Sequence, residues 1–201
     1  VELILKKLCS TGIYDHVEGG ISRYTVDDKW LIPHFEKMLY DQAMLSLAYL
    51  EAYHLTKNKD YARVAEKIFQ YVLGDLTHEN GGFYSAEDAD SEGIEGNFYT
   101  WRKKELLDVL GEKNGEIMGK FYGFKKEGNY HDETTHKTNG KNIPHIKMKF
   151  SELTALTGMT EYELANLIEF SRKKLFEARK KKPRPMKDDK ILTDWNGLMT
   201  V

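Results

Sequence analysis

The sequence has a single cysteine and no long apolar run, and each shortage excludes a class of protein. Its one thiol, Cys9, cannot form an internal disulfide framework and is typical of a reducing compartment. No apolar run approaches the ~20 residues that a membrane span needs, and no basic leader precedes an apolar stretch at the start. We therefore expect a soluble, cytoplasmic protein without a membrane partner.

An excess of charge of one sign is also missing. The 30 Lys and Arg residues face 32 Asp and Glu residues, which gives a formal net charge of −2 and no overall attraction to nucleic acid. The 201 residues are 40% apolar and 12% aromatic, which suffices for one sizeable core. We expect a single globular domain over residues 1–201 that has no nucleic-acid partner.

Both ends of the sequence have the pattern of helices. Leu3, Ile4 and Leu8 follow Val1 at helical spacing, and "DWNGLMTV" at the other end starts a second apolar helix. The first residue is not methionine. We interpret the sequence as a piece of a longer protein.

Apolar periodicity predicts helices through much of the chain. Residues 35–53 are apolar on nearly every side, which predicts a helix buried all round, and Pro33 suits its first turn. Residues 61–74 carry one apolar stripe, as a surface helix does. Further helices are predicted over residues 102–111, 114–122 and 160–182, and the stretch 125–148 is polar and irregular.

The last predicted helix has two distinct ends. Thr160 and Glu163 have the spacing of a capping box at its start. Seven Lys and Arg residues lie between positions 172 and 182 at its end, where cations complement the helix dipole. No aromatic stacking ladder flanks them, so we interpret this run as a solvated face rather than a nucleic-acid patch.

Two glycine-rich loops resemble each other, "TGIYDHVEGG" at 11–20 and "GGFYSAEDAD" at 81–90. Each follows a helix and ends in an acidic tract. The two segments begin 70 positions apart, and a period of that length fits two helices and a loop. The segment "GGFYS" is predicted to pair with "FYTW" as a β-hairpin. The pattern predicts an all-α fold, namely an incomplete (α/α) toroid of helical hairpins. Short β-hairpins are expected in its loops, and the glycine-rich loops are expected together at one mouth of the toroid.

The first candidate site lies in "WLIPHFEKMLYDQA", which contains His34, Glu36 and Asp41. Carboxylates favour the start of a helix, and Lys37 could pair with Asp41 one turn later. In a helix buried all round, however, an ionised carboxylate costs several kcal/mol unless it is paired. The cluster therefore lines a pocket or forms a buried structural network.

The second candidate site is the acidic loop "YSAEDADSEGIEGNFYTW". In one interpretation, carboxylates such as Asp88 and Asp90 act as acid and base on a sugar held by neighbouring aromatic rings. In a second, the loop is structural. In a third, it imitates the start of a calcium loop, which is the weakest interpretation because Tyr99 stands where a bidentate Glu is needed.

The third candidate site is "YDHVEGGISRY", in which polar residues flank two glycines. Arg23 could clamp an anion or a pair of hydroxyls, and His16 could move a proton. The alternative is a loop folded by its own ion pairs. In "DWNG", Trp195 and Asn196 could form an aromatic platform with an amide beside it, although a tryptophan is as often part of the core.

Four segments carry a resemblance to a known family. They are "GIYDHVEGGISRYTVDDKWLIPHFEKMLYDQA", "GGFYSAEDADSEGIEGNFYTW", "GKNIPH" and "DDKILTDWNGLM". Together they resemble the thioredoxin-domain-containing proteins akin to spermatogenesis-associated protein 20. In that family a thioredoxin-like domain precedes an (α/α) toroid similar to six-hairpin glycosidases and N-acylglucosamine 2-epimerases. The resemblance implies that this sequence is the first part of the toroid, without the thioredoxin-like domain and the later hairpins.

We therefore expect a carbohydrate-active domain, similar to a glycoside hydrolase or a sugar epimerase, that acts on a sugar-like small molecule by acid–base chemistry. The alternative is a non-catalytic ligand- or partner-binding module coupled to the thioredoxin-like redox domain. No cofactor or metal is expected. The expected catalytic residues are His34, Glu36, Asp41, Asp88 and Asp90. The expected substrate-binding residues are Asp15, His16, Arg23, Tyr24, Tyr84, Trp101, Trp195 and Asn196.

Overall fold

The computed structural model describes residues 1–131 and 138–200 of the chain. About half of these residues lie in eight α-helices. The helices are α1 (Glu2–Leu8), α2 (Leu39–Thr56), α3 (Lys59–Asp75), α4 (Lys103–Leu110), α5 (Glu112–Phe121), α6 (Phe150–Thr157), α7 (Glu161–Arg179) and α8 (Thr193–Thr200). Within the described ranges, every helix is too short or too polar to cross a lipid bilayer.

In the described part of the chain, nine two-residue β-strands lie between the helices and pair antiparallel. They form four small sheets, which join β1 with β2, β3 with β4 and β4 with β9, β5 with β6, and β7 with β8. The strands are β1 (Tyr24–Thr25), β2 (Pro33–His34), β3 (Lys37–Met38), β4 (Ala86–Glu87), β5 (Asp90–Ser91), β6 (Ile94–Glu95), β7 (Trp101–Arg102), β8 (Lys141–Asn142) and β9 (Lys187–Asp188).

The fold is mostly helical, but the prediction of an all-α class is wrong. Several ladders join segments that are far apart in the chain, such as β4 and β9, rather than decorating single loops. The predicted hairpin between "GGFYS" and "FYTW" does not form either. Trp101 pairs with Asn142 of β8, and Phe83 bridges Thr77. Short sequence motifs identified the extended segments, but they carried no information on which distant segment each one meets.

The start of α2 also differs from the prediction. Residues 33–38 are extended, because Tyr24 pairs with His34 and Lys37 pairs with Glu87, and the helix begins only at Leu39. Pro33 therefore lies in a strand rather than in the first helical turn. The helix is not buried all round, since residues such as Met44 are exposed on the side opposite its buried face.

The other predicted helices are confirmed to within a few residues, and α6 is an addition that the pattern missed. Thr160 caps α7 as predicted: its hydroxyl accepts a hydrogen bond from the Glu163 N–H at 3.2 Å, and the Glu163 carboxylate accepts from the Thr160 N–H at 2.9 Å. The stretch 125–148 is irregular where it is described, and residues 132–137 within it lie outside the described part of the chain.

The helices form two groups, each with its own apolar core. The first group contains α1, α2 and α3, which pack around buried tyrosines such as Tyr49 and Tyr61. The helix α8 packs on this group beside Leu39 and Leu76. The second group contains α4 to α7, which pack around Trp101, together with a larger set of buried apolar residues: Leu106, Leu110, Met118, Phe121, Leu153, Leu164 and Leu175.

A set of largely buried charges, here called the junction network, lies where the two groups meet. It consists of Asp15, Glu18, Lys37, Asp75, Glu87, Arg179, Arg184 and Lys187. The carboxylate of Asp15 accepts from Lys37 Nζ at 2.8 Å and from both terminal nitrogens of Arg179, at 2.7 Å and 3.0 Å. Burial alone would raise the pKa of Asp15, but these two cations hold it well below its usual range.

Arg184 continues the junction network on the other side of Glu18. Its guanidinium donates to Glu18 at 3.0 Å and to Glu87 at 2.9 Å, and it forms an ion pair with Asp75 at 2.8 Å. The hydroxyl of Tyr99 also donates to Glu87. Burial raises the pKa of Glu87 above its usual range, and the hydrogen bond that Glu87 shares with Asp75 raises it further.

The junction network corrects the interpretation of the basic run at the end of α7. Lys173, Lys174 and Lys180 are exposed as predicted, but Arg179 is only 1% exposed. Periodicity along one helix places a residue on a face, yet it does not show that an acidic loop from the other end of the chain covers that face. The reading of a solvated face is therefore wrong for Arg179.

Two glycines allow the loop after α1 to approach its neighbours. Gly19 and Gly20 have φ angles of 95° and 78°, which L-residues with a side chain rarely adopt. A Cβ atom on Gly20 would lie 2.7 Å from the ring of Tyr71, and one on Gly19 would lie 2.5 Å from the carbonyl oxygen of Lys67. Both the positive φ angles and the close backbone packing therefore require glycine at these two positions.

Removing one cation tests whether the junction network stabilises the fold. Arg179→Ala leaves two buried carboxylates with fewer cationic partners, so we expect the free energy of unfolding to fall by about 3–5 kcal/mol. Lys180→Ala is the matched control, because that neighbouring cation is exposed and pairs at the surface with Glu177. Urea unfolding at neutral pH measures both variants. Equal midpoints for the two variants would mean that the network contributes nothing to stability.

Candidate functional site

A surface cluster forms where β1, β2 and the start of α2 meet the loop that carries β6. It is called the His34 cluster here. Its members are Arg23, Tyr24, His34, Glu36, Tyr40, Asp41, Glu95 and Trp195. The ladder between β1 and β2 places Tyr24 opposite His34, and directly opposed residues of an antiparallel pair present their side chains on the same face. The local sequence thus builds the first half of the site.

The imidazole of His34 is held on three sides. Its Nδ1 atom lies 2.7 Å from Oε1 of Glu95, and its Nε2 atom lies 3.7 Å from Oε2 of Glu36. The ring of Tyr24 stacks on it with 5.0 Å between centroids. The side chain of His34 remains 28% exposed. A positioned, accessible imidazole between two carboxylates is suited to proton transfer.

Glu36 is fixed by an arginine from the neighbouring strand segment. Nη1 of Arg23 donates to Oε2 of Glu36 at 3.0 Å, and the backbone N–H of Arg23 donates to the carbonyl of Glu36 at 2.9 Å. Both side chains are partly exposed. The pair therefore presents a carboxylate and a guanidinium to solvent in a fixed arrangement.

Asp41 is the unpaired member of the His34 cluster. Its Oδ2 atom is buried and has no hydrogen-bond partner among the described residues. Burial raises the pKa of Asp41 to about 6, with the charge of Glu36 acting in the same direction and that of Arg23 opposing it. The adjacent ring of Tyr40 meets Trp195 edge to face at 4.8 Å between centroids. The carboxyl of Asp41 therefore keeps its proton to a higher pH than an ordinary aspartate does.

The structure thus brings together six of the residues predicted from sequence. They are Arg23, Tyr24, His34, Glu36, Asp41 and Trp195. Two further members, Tyr40 and Glu95, were not selected as site residues. Glu95 belongs to the acidic loop already singled out, but five carboxylates in one loop gave no basis for choosing the one that reaches His34.

Asp88 and Asp90 lie at the edge of this arrangement. Both are exposed, and Asp88 accepts a hydrogen bond from the Asp90 N–H at 3.3 Å. Asp90 is the direct partner of Glu95 in the ladder of β5 and β6. Among the described residues neither carboxylate forms a hydrogen bond or an ion pair with a side chain of the His34 cluster, so Glu95 is the connection between the acidic loop and the site.

Asp15 and His16 lie in the interior instead. Asp15 belongs to the junction network. The Nε2 atom of His16 lies 3.0 Å from the carbonyl oxygen of Thr11, and its ring packs between Tyr14 and Tyr122. Burial lowers the pKa of His16 to about 4, although the Thr11 carbonyl acts in the opposite direction. The surroundings of His16 are those of a neutral core residue.

The remaining predicted binding residues make contacts within the fold. Tyr84 packs beside His78 in the core under α8, and Trp101 is only 2% exposed in the second helical group. The side-chain amide of Asn196 accepts from the Phe83 N–H at 2.7 Å and donates to the Phe83 carbonyl at 2.9 Å. These contacts attach α8 to the loop after α3, and they place the three residues outside the His34 cluster.

No set of three His, Cys, Asp or Glu side chains in residues 1–131 and 138–200 is arranged to hold a metal ion. In the acidic loop, Glu92 is directed toward Asn97, whose amide donates to it at 3.4 Å. The start of a calcium loop that the sequence suggested therefore has no gathered ligands within the described residues.

Comparison with known proteins shows similarity to a group of longer proteins. No protein-family model matches the chain. The chain is 40% identical to human spermatogenesis-associated protein 20, over 97% of this chain and 27% of that protein. The mouse protein of the same name matches with the same identity and coverage. An uncharacterized protein of Caenorhabditis elegans is 33% identical over 96% of this chain and 29% of its own length. The chain thus spans under a third of the curated relatives it matches.

The surroundings of His16 give a test that separates a core histidine from a proton shuttle. We expect its imidazole to titrate near pH 4, because burial disfavours the charged ring. NMR of selectively labelled histidine, with the His16→Gln variant to assign the signal, measures the midpoint. Since the pKa is lower in the folded chain, His16 should also reduce stability as the pH falls from 6.5 toward 4. A midpoint near 6.5 would contradict the buried, neutral assignment.

Proposed function

We propose that the His34 cluster is the active site of a carbohydrate-active domain that uses acid–base chemistry, and that the chain belongs to the same family as spermatogenesis-associated protein 20. The observation that carries the proposal is the carboxyl of Asp41, which has a buried, unpaired oxygen and a pKa raised to about 6. Two carboxyl groups in contrasting environments support an assignment of acid and base. Here they are Asp41, without a hydrogen-bond partner on Oδ2, and Glu36, paired with Arg23.

Each side chain has a role in this proposal. Asp41 donates its proton to the oxygen of the bond that breaks. Glu36 activates water or stabilises positive charge on the sugar ring, with Arg23 fixing its position. In an epimerase-like reaction, His34 removes a proton beside a carbonyl, and Glu95 stabilises the resulting imidazolium at 2.7 Å.

The aromatic members suit a sugar-like ligand. Tyr24 is 49% exposed beside the imidazole, and Tyr40, whose ring contacts Trp195, directly precedes Asp41 in the chain. Aromatic rings with exposed faces pack against the apolar faces of sugar rings, while the surrounding polar groups bind hydroxyls. These rings and the carboxyl groups together favour a sugar over a purely ionic ligand.

The substitution Asp41→Asn tests the proposed acid. It keeps the shape but removes the proton donor, so turnover on glycosides or free sugars should fall ~10²-fold or more. Because the folded pKa of Asp41 is raised, the parent should lose stability as the pH rises through about 6, and the variant should not. Asp60→Asn is the matched control, an exposed aspartate in the first turn of α3. Activity and urea unfolding are measured from pH 5 to 8 in the natural protein that contains this chain; an active Asp41→Asn variant would rule out this acid.

Asp88 and Asp90 are proposed to complete the catalytic carboxylates at the edge of the site. Asp90→Asn removes one charge opposite Glu95, and a catalytic role predicts a ~10²-fold loss of turnover with an unchanged melting temperature. Glu92→Gln is the control, since it removes a charge from the same loop at an exposed position. Equal turnover in the two variants would restrict the site to the His34 cluster.

One observation favours a second candidate, a non-catalytic module that binds a ligand or partner. Arg23, His34, Glu36 and Glu95 already satisfy one another, so they could preserve the shape of a binding surface rather than react. Turnover assays and calorimetry on the same panel of sugars distinguish the candidates. Binding that is lost in Asp41→Asn without turnover in the parent would favour this module.

The wider architecture belongs to the same proposal. We propose that these helices form part of an (α/α) toroid and that the complete protein also carries a thioredoxin-like domain and acts in the cytoplasm. The chain is 40% identical to a relative of which it spans 27%. This identity supports a shared architecture over the aligned part of the two proteins. A structure of the natural protein with a bound sugar tests the toroid and the site together.

A further inference from the structure

A second cleft, away from the His34 cluster, has a volume of ≈ 910 Å³. Its walls come from the end of α1, the turn at residues 27–32, the end of α5 and the segment at 145–148. It shares no lining residue with the His34 cluster. A cleft of this size can enclose a small molecule, since ligand sites commonly measure ~300–1,000 Å³.

The lining of this cleft is strongly cationic. Five lysines contribute to it, and among the described residues none of them has a carboxylate within ion-pair distance. They are Lys7, Lys29, Lys120, Lys125 and Lys147. The chain as a whole has a net charge of −2, so this concentration does not follow from general basicity. Unpaired cations around a concave surface create a positive potential that attracts anions.

The carboxylates of the lining do little to neutralise these cations. Asp27 accepts backbone hydrogen bonds with both oxygens, from the Ile32 N–H at 2.7 Å and from the Lys29 N–H at 3.1 Å. Asp28 is the other acidic residue of the described lining. Five lysines against two aspartates leave an excess of positive charge.

Helix dipoles explain only part of the set. Lys7 and Lys120 lie in the last turns of α1 and α5, where a cation complements the negative helix end. Lys29, Lys125 and Lys147 lie outside helices, so this explanation does not apply to them. The presence of these three lysines in the lining therefore indicates a binding site for an anionic ligand.

Hydrogen bonds hold two of these lysines close to the same histidine. The Lys147 N–H donates to the Phe121 carbonyl at 2.9 Å, and the Lys125 N–H donates to the side chain of Asn142 at 2.8 Å. Burial lowers the pKa of His145, and the charges of Lys147 and Lys125 lower it further. The backbone thus keeps like charges together, which an anion between them would stabilise.

We propose that this cleft binds a phosphorylated small molecule. The phosphate would lie between Lys125 and Lys147 beside His145, because neither lysine has a carboxylate within ion-pair distance among the described residues. The rest of the lining is partly apolar, which suits the body of a metabolite rather than a bare ion. These apolar residues are Leu31, Ile32, Phe124, Ile146 and Met148. The proposal does not depend on the chemistry of the His34 cluster.

The test measures binding of inorganic phosphate and pyrophosphate to the natural protein by calorimetry, with sodium chloride at equal ionic strength as the salt control. In Lys125→Gln/Lys147→Gln we expect the pyrophosphate Kd to rise at least tenfold, because two of the converging charges are removed. The matched control is Lys104→Gln/Lys180→Gln, which loses the same net charge at exposed lysines paired with Asp108 and Glu177.

A second readout locates the anion. An anion bound beside His145 should raise the pKa of its imidazole, and NMR of labelled histidine would record this shift in the parent and the control but not in the Lys125→Gln/Lys147→Gln variant. Equal affinity in the two double variants, or a pKa shift of His145 that chloride reproduces at the same ionic strength, would overturn the proposal.

Discussion

The ion pair between Asp15 and Arg179 is the interaction on which the arrangement of the two helical groups depends. Both side chains are almost fully buried, and two hydrogen bonds of 2.7 Å and 3.0 Å join them. Desolvating two charges is costly, and each of these charges is stabilised in the interior by the other together with a second partner, Lys37 for Asp15 and Glu18 for Arg179. The loop after α1 therefore cannot move away from the end of α7 without leaving a buried charge unpaired.

The same pair sets the geometry of the surface cluster through Lys37. The ammonium of Lys37 binds Asp15 at 2.8 Å and lies 4.2 Å from the centroid of the Tyr71 ring, so this side chain is fixed in the interior. Alternation along an extended segment then directs Glu36 to the other side, toward solvent. The interior network and the exposed site are thus opposite faces of one short stretch of chain.

Local sequence predicted the parts of the site that local structure builds. His34, Glu36 and Asp41 were recognised because polar groups at the entrance of an apolar helix need partners, although that helix begins later than Pro33 suggested. Arg179 was missed, because its partner Asp15 lies 164 positions away and helical periodicity does not identify distant partners. Secondary structure followed largely from pattern, whereas strand pairing and buried ion pairs depended on tertiary contacts between segments far apart in sequence.

The separation of 164 positions between Asp15 and Arg179 also has a kinetic consequence. Helices and their short-range contacts form rapidly, but a contact of such high sequence separation requires the closure of a long loop. During synthesis the loop that carries Asp15 emerges from the ribosome early, and Arg179, the last residue of α7, follows much later. Until then, Asp15 has Lys37 alone as its cationic partner within the junction. We therefore expect the docking of the two groups to be a late event in folding, which leaves the apolar surfaces that it covers exposed until α7 is complete.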